Sequence, residues 1–175
     1  MKTWQQFLLE KAEHEFSSTQ VNLPESIAGK IHRWGCQFIP NSDIYPEEGR
    51  EDEMHVTVLF GLHDNEPDDV EEALEGESPI KLTLGKTSIF EAEKYDVVKL
   101  GVESDDLHRI NAKLRDRCEH TMTYPEYKPH CTIAYVKKGM GKKYIGNDKF
   151  AGTKLEIDEV LFSNKRREKI SIRLL

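Results

Sequence analysis

A chain of 175 residues, 37% hydrophobic and 33% charged, suits one soluble domain with a real core, and no apolar run approaches the ~18–20 residues of a membrane helix. A net charge of −7 argues against a general nucleic-acid coat, so no stable binding of duplex nucleic acid is expected. Cys36, Cys118 and Cys131 are odd in number and lack C-x-x-C spacing, which points to a reducing, cytoplasmic compartment rather than a disulfide framework.

Residues 3–15 place Trp4, Phe7, Leu8 and Ala12 on one helical face. The whole opening stretch is too polar and charged for a secretory signal. "SSTQVNL" (17–23) reads as a short strand. Pro24 opens a second helix with Ile27, Ile31 and Trp34 at helical spacing, and Gly35 is the natural stop. Residues 40–53 are rich in Pro, Gly and acids, hence a loop. A strand follows over His55–Phe60. A short helix then runs from Pro67 to Gly76, with Val70, Ala73 and Leu74 inward. "KYDVVKLGV" (94–102) is a strand, and Ser104 an N-cap for a helix with Leu107, Ile110, Leu114 and Cys118 on one face. Asp105 and Asp106 lie in its first turn, where the helix dipole favours acids. A "YPEYKP" connection leads to a strand from His130, and two more strands are expected at 153–162 and 169–175. Each half thus runs strand, helix, loop, strand, a loose two-fold repeat within a single domain over 1–175.

The two strands that close the halves carry one spelling. "HVTV" begins at His55 and "HCTI" at His130, 75 residues later. Residues i and i+2 of a strand share a face, so His55 projects with Thr57 and His130 with Thr132, while Val56, Val58, Cys131 and Ile133 turn to the core. If the repeats are related by a pseudo-two-fold axis, both pairs face one cleft. One neutral imidazole can then take a proton from an attacking oxygen, and one imidazolium can give a proton to the leaving oxygen. The hydroxyls can donate to the non-bridging phosphoryl oxygens. The bland alternative is two core histidines, each bonded to its own threonine.

These paired motifs resemble those of the two-histidine (2H) phosphoesterases, the group that includes the 2′-5′ RNA ligase-like proteins. The resemblance spans roughly residues 17–136. It implies an α+β, bilobal fold: two antiparallel sheets with pseudo-two-fold symmetry around a central cleft, helices outside. It also implies metal-independent chemistry without a cofactor, with His55, Thr57, His130 and Thr132 catalytic. Within the family, "SSTQVNLP", "HVTVLFGLH" and "YKPHCTIAYV" look most like bacteriophage proteins. Some of these are anti-CBASS phosphodiesterases that degrade cyclic oligonucleotide signals of bacterial immunity in the host cytoplasm. Two rivals share the scaffold, a 2′,3′-cyclic phosphodiesterase and a 2′-5′ oligonucleotide phosphodiesterase. A third is a metal site built from Glu53, His55 and His130, against which the paired threonines count. A fourth is an inert protein that sequesters a cyclic nucleotide. A homo-oligomer is compatible with any of them.

Charge is unevenly spread. Residues 1–126 hold 13 basic and 27 acidic side chains, residues 127–175 hold 12 and 5. The basic tail starts beside the second motif, where it can steer an anion or simply form a solvated face. Lys128 shares the His130 face by spacing and either neutralises a phosphate or is an ordinary solvated lysine. Tyr124 and Tyr127 either stack on a base or pack under the loop. "KKGMGKKYIGNDKFAG" (137–152), with Tyr144, reads as a flexible lid over a nucleotide or as an ordinary mobile loop. The expected substrate-binding residues are Tyr124, Lys128 and Tyr144. Glu53 either raises the pKa of His55 or, preferably, belongs to the acidic loop. Cys131 is expected in the core as a poor nucleophile.

Overall fold

The computed structural model describes residues 15–175, so the apolar face expected over 3–15 lies outside the described residues. The elements in chain order are β1 (Ser17–Asn22), α1 (Glu25–Phe38), β2 (His55–Leu62), α2 (Asp68–Leu74), β3 (Ile80–Glu91), β4 (Tyr95–Glu103), α3 (Asp105–Arg117), β5 (His130–Lys137), β6 (Lys154–Ile157), β7 (Glu159–Ser163) and β8 (Lys169–Arg173). The strands form one eight-stranded sheet in the order β6-β3-β4-β5-β2-β1-β7-β8. Every neighbouring pair is antiparallel.

The expected two sheets therefore occur as two four-stranded arms of one sheet. β6-β3-β4-β5 and β2-β1-β7-β8 meet where β5 pairs with β2, and that ladder is a single residue pair, Val56 with Cys131. The remaining residues of the two strands do not pair with each other, so the two arms are joined in the sheet at this one point. Alternation decides what lines each side. Val56, Val58, Cys131 and Ile133 are buried, whereas His55, Thr57, His130 and Thr132 are half-buried on the opposite face.

α1 and α3 lie on the face away from the histidines, and each of these two reaches the other arm. α1 follows β1 but rests on β5: a Cβ on Gly35 would stand 2.8 Å from Ile133 Cγ2. α3 follows β4 and packs on β2, where Asn111 Nδ2 donates to the Val58 carbonyl at 2.7 Å. Ser104 caps α3 as expected, its Oγ accepting from the Leu107 N–H at 3.1 Å. One contiguous core joins both arms, with Ile31, Leu100, Leu107 and Phe162 among its fully buried side chains.

Three expectations need correction, and one strand was not expected. Gly35 does not stop α1, which runs on to Phe38. Its missing side chain admits Ile133, and Arg50 closes the helix further on, donating to the Gly35 carbonyl at 3.0 Å and the Ile39 carbonyl at 2.6 Å. The expected strand at 153–162 is two strands, β6 at one edge of the sheet and β7 in the other arm. Leu155 and Ile157 are followed by Val160 and Phe162, so the alternation slips by one residue at Asp158, where the chain changes arms. β3 had no counterpart in the sequence reading. Its inward set of Ile80, Leu82 and Leu84 changes phase at an irregularity between Leu84 and Thr87. Finally, residues 137–152 are not a free lid. The Asp96 carboxylate accepts from the N–H groups of Gly139 (2.9 Å) and Gly141 (3.0 Å), and Tyr144 and Phe150 are buried.

Candidate active site

The antiparallel register at the junction fixes the site. The bridge joins the residue between His55 and Thr57 to the residue between His130 and Thr132, so the two motifs flank one point of the sheet on the same face. The four motif residues are brought together where the arms meet.

Both rings are oriented in the same way. His55 Nδ1 lies 2.8 Å from the Glu53 carbonyl oxygen, and His130 Nδ1 lies 2.8 Å from that of Lys128. A carbonyl only accepts, so Nδ1 carries the hydrogen in each ring, and Nε2 is left to exchange a proton with a ligand. The β2 backbone is held at this point by Tyr127, whose hydroxyl donates to the Thr57 carbonyl at 2.8 Å. Burial pushes that hydroxyl's pKa up, so it remains a donor.

The surroundings of the two histidines differ. Burial lowers the pKa of His130. The hydrogen bond to the Lys128 carbonyl opposes this, and the charges of Lys99 and His55 reinforce it. The Phe90 ring stands edge-to-face with His130, 4.8 Å between centroids. His55 instead has carboxylates nearby: Glu51 Oε1 is 3.9 Å from its Nδ1. Burial raises the Glu51 pKa, and the neighbouring Asp52 and Glu53 add to this against the opposing charge of His55. Glu53 is engaged elsewhere, accepting from Lys169 Nζ on both oxygens (2.7 and 2.8 Å) and from Gln20 Nε2 (2.5 Å). Burial alone would raise its pKa, but these two donors outweigh it and the carboxyl is held below its ordinary value. Among the described residues no three His, Cys, Asp or Glu side chains are gathered as a metal would require. Exhaustive chelation is accordingly expected to leave turnover intact. Loss of activity in EDTA with recovery on adding zinc or manganese would return the metal-site reading.

The other sequence candidates separate. Lys128 is exposed and near Glu126, Nζ to Oε2 3.5 Å, while its carbonyl orients His130. Tyr124 is 76% exposed. Tyr144 is in the core instead of over the cleft: its ring packs edge-on to Phe38 and its hydroxyl donates to Asp43, which Lys143 also binds. Cys131 is fully buried and its thiol is pushed up to about 12, mainly by burial, which makes it a packing residue. Sequence reasoning missed Lys99, which pairs across strands with Thr132, and Gln20, which pairs across strands with Thr57. A lone lysine inside "DVVKLGV" was the available signal for the first; the second had none.

The family model described as the 2′-5′ RNA ligase superfamily matches residues 23–141, which takes in both motifs and more than half of the chain. The chain belongs to the 2′-5′ RNA ligase superfamily. This is the two-histidine phosphoesterase group, and the matched range contains both histidine–threonine strands. Solved structures agree on the fold. TT0787 of Thermus thermophilus is 18% identical with a TM-score of 0.61, over 91% of this chain and 98% of that one. Escherichia coli LigT complexed with 3′-AMP is 20% identical with a TM-score of 0.60, over 93% and 96%. Kluyveromyces marxianus Usb1 with uridine monophosphate is 9% identical with a TM-score of 0.58, over 91% and 98%. No curated protein matches the chain significantly. Among the described residues of this superfamily member, no helix is long and apolar enough to cross a membrane.

Proposed function

We propose that this protein is a metal-independent phosphodiesterase that cuts nucleotide linkages, with cyclic di- and oligonucleotide signals of the anti-CBASS type as its substrates. The observation that carries the chemistry is the matched pair of imidazoles, each with Nδ1 given to the carbonyl two residues upstream and Nε2 left for proton exchange. Two similar structures, LigT and Usb1, hold nucleoside monophosphates, which supports a nucleotide in the cleft. The choice of cyclic signals rests on the resemblance of "SSTQVNLP", "HVTVLFGLH" and "YKPHCTIAYV" to phage proteins.

His130 is the base in this reading, because burial and neighbouring positive charge lower its pKa and so favour the neutral ring. His55 is then the acid. Among the described residues no Ser, Cys or Asp side chain is hydrogen-bonded to either ring as an attacking group, so in this reading the nucleophile for a 3′–5′ linkage is the substrate's own 2′-hydroxyl. Its proton passes to His130 Nε2 as the 2′-oxygen bonds to phosphorus. The bond from phosphorus to the 5′-oxygen breaks, and that oxygen takes the proton from His55. The products are a 2′,3′-cyclic phosphate and a 5′-hydroxyl. Water then opens the cyclic ester with the two rings in reversed roles. Attack from within the same ribose is nearly intramolecular, so positioning supplies much of the acceleration.

Incubation with cyclic di- and trinucleotides, 2′,3′-cyclic mononucleotides and 2′-5′ oligonucleotides, resolved by chromatography, tests the substrate class. Turnover confined to either of the last two classes moves the assignment to that class. Tight binding without turnover of any substrate makes the protein a sequestering one. The nucleophile has its own test. A cyclic dinucleotide with 2′-deoxyribose at the scissile 3′ linkage is expected to bind and stay intact there by mass spectrometry. Efficient cleavage at the deoxy position would mean that water attacks directly.

A further inference from the structure

Lys99 is a buried cation with no carboxylate among the described residues to neutralise it. It lies on β4 opposite Thr132, only 9% of it is exposed, and among the described residues no acidic oxygen lies within 4 Å of its Nζ. Lysine is rarely buried without a partner, since desolvating an ammonium is costly. The side chain is nevertheless fixed. Nζ donates to Ser88 Oγ at 2.7 Å and sits 4.2 Å from the centre of the Phe90 ring, the same ring that abuts His130. An ammonium has three N–H bonds, and these two partners leave one for a ligand. The environment is unfavourable to its charge: burial lowers the Lys99 pKa, and Lys128 adds to this. An anion arriving beside Thr132 would reverse that penalty.

The corresponding place in the other arm is built differently. Gln20 lies opposite Thr57, and its amide is committed to Asn22 and Glu53, with Glu53 in turn bound by Lys169. Charge at that position is compensated within the protein, whereas at Lys99 no carboxylate among the described residues compensates it. Gly101, opposite His130, adds no side chain that would fill the space.

We propose that Lys99 is the phosphate-binding cation of the cleft, its ammonium taking a non-bridging oxygen of the substrate phosphate on the Thr132 side. The substrate in this statement rests on the phosphodiesterase reading, but capture of a phosphate anion is measurable without turnover. Lys99 then has two effects. It holds the phosphate, and its charge favours the neutral form of His130 that a base requires.

Inorganic phosphate is the probe, titrated at neutral pH into the full-length protein and followed by NMR. In the wild-type protein the Lys99 Cε and Nζ resonances are expected to move to saturation. In Lys99→Met, phosphate affinity is expected to fall at least tenfold, with Lys99→Arg recovering part of the loss. The His130 titration in Lys99→Met is expected to shift to higher pH, because a nearby positive charge has been removed. Lys99 resonances unmoved at saturating phosphate would overturn the proposal even if the variants fail to fold. Affinity within twofold of wild type in a folded Lys99→Met would overturn it independently. An inactive enzyme that still binds phosphate through Lys99 would sink the phosphodiesterase reading and leave this one standing.

Discussion

Replacing either His55 or His130 with alanine is expected to lower turnover by about 10²–10⁴-fold, the typical contribution of one positioned acid or base. Folding should be little affected. Each ring is half-buried and makes one hydrogen bond to a carbonyl two residues away, so stability should fall by no more than about 1 kcal/mol. The pH profile of kcat/KM should be bell-shaped and belong to the pair rather than to either ring alone. Its acid limb has a predictable position. The rate falls where the base takes up a proton, and burial and positive neighbours lower the His130 pKa. The active form therefore persists to lower pH than an ordinary imidazole would allow, and His130→Ala should abolish that limb. Steady-state rates across pH, with circular dichroism as the folding control, decide the matter. Near wild-type turnover in either variant would remove that histidine from the mechanism.

The largest expected loss of stability is at Gly61, six residues after His55. Its φ is +93°, a region L side chains rarely adopt. The chain there runs against the segment that follows α3: the Thr121 N–H donates to the Gly61 carbonyl at 2.9 Å, and the His63 N–H to the Glu119 carbonyl at 3.1 Å. A Cβ at Gly61 would land on the Thr121 carbonyl oxygen, well inside van der Waals contact, and that oxygen is backbone. Gly61→Ala therefore combines backbone strain of ~1–3 kcal/mol with a clash that no rotamer relieves. A loss of about 3 kcal/mol or more is expected, read as a lower urea midpoint at unchanged slope. Gly76→Ala is the control: its φ is +77° but the space around it is open, so it should carry the strain without the clash. Equal effects at the two positions would show that contact with Thr121 is not what Gly61 protects.

Local pattern alone determined much of this protein. Alternation in "HVTV" and "HCTI" was enough to put both histidine–threonine pairs on one face of their strands and Val56 and Cys131 on the other, because strand period is a property of the backbone. The N-cap at Ser104 and the apolar face of α3 followed from side-chain chemistry in the same way. Tertiary structure decided whatever depended on a partner. Which strands pair is invisible in either strand alone, so the change of arm at Asp158 and the irregular β3 were not legible. Gly35 read as a helix stop because its reason, the Ile133 side chain, lies nearly a hundred residues away. Tyr144 read as a ligand contact because its partner Asp43 is equally distant in sequence. Lys99 is the clearest case. Its charge was visible from the start, but only the register of β4 on β5 places it opposite Thr132, and only burial without a carboxylate gives that placement its chemical meaning.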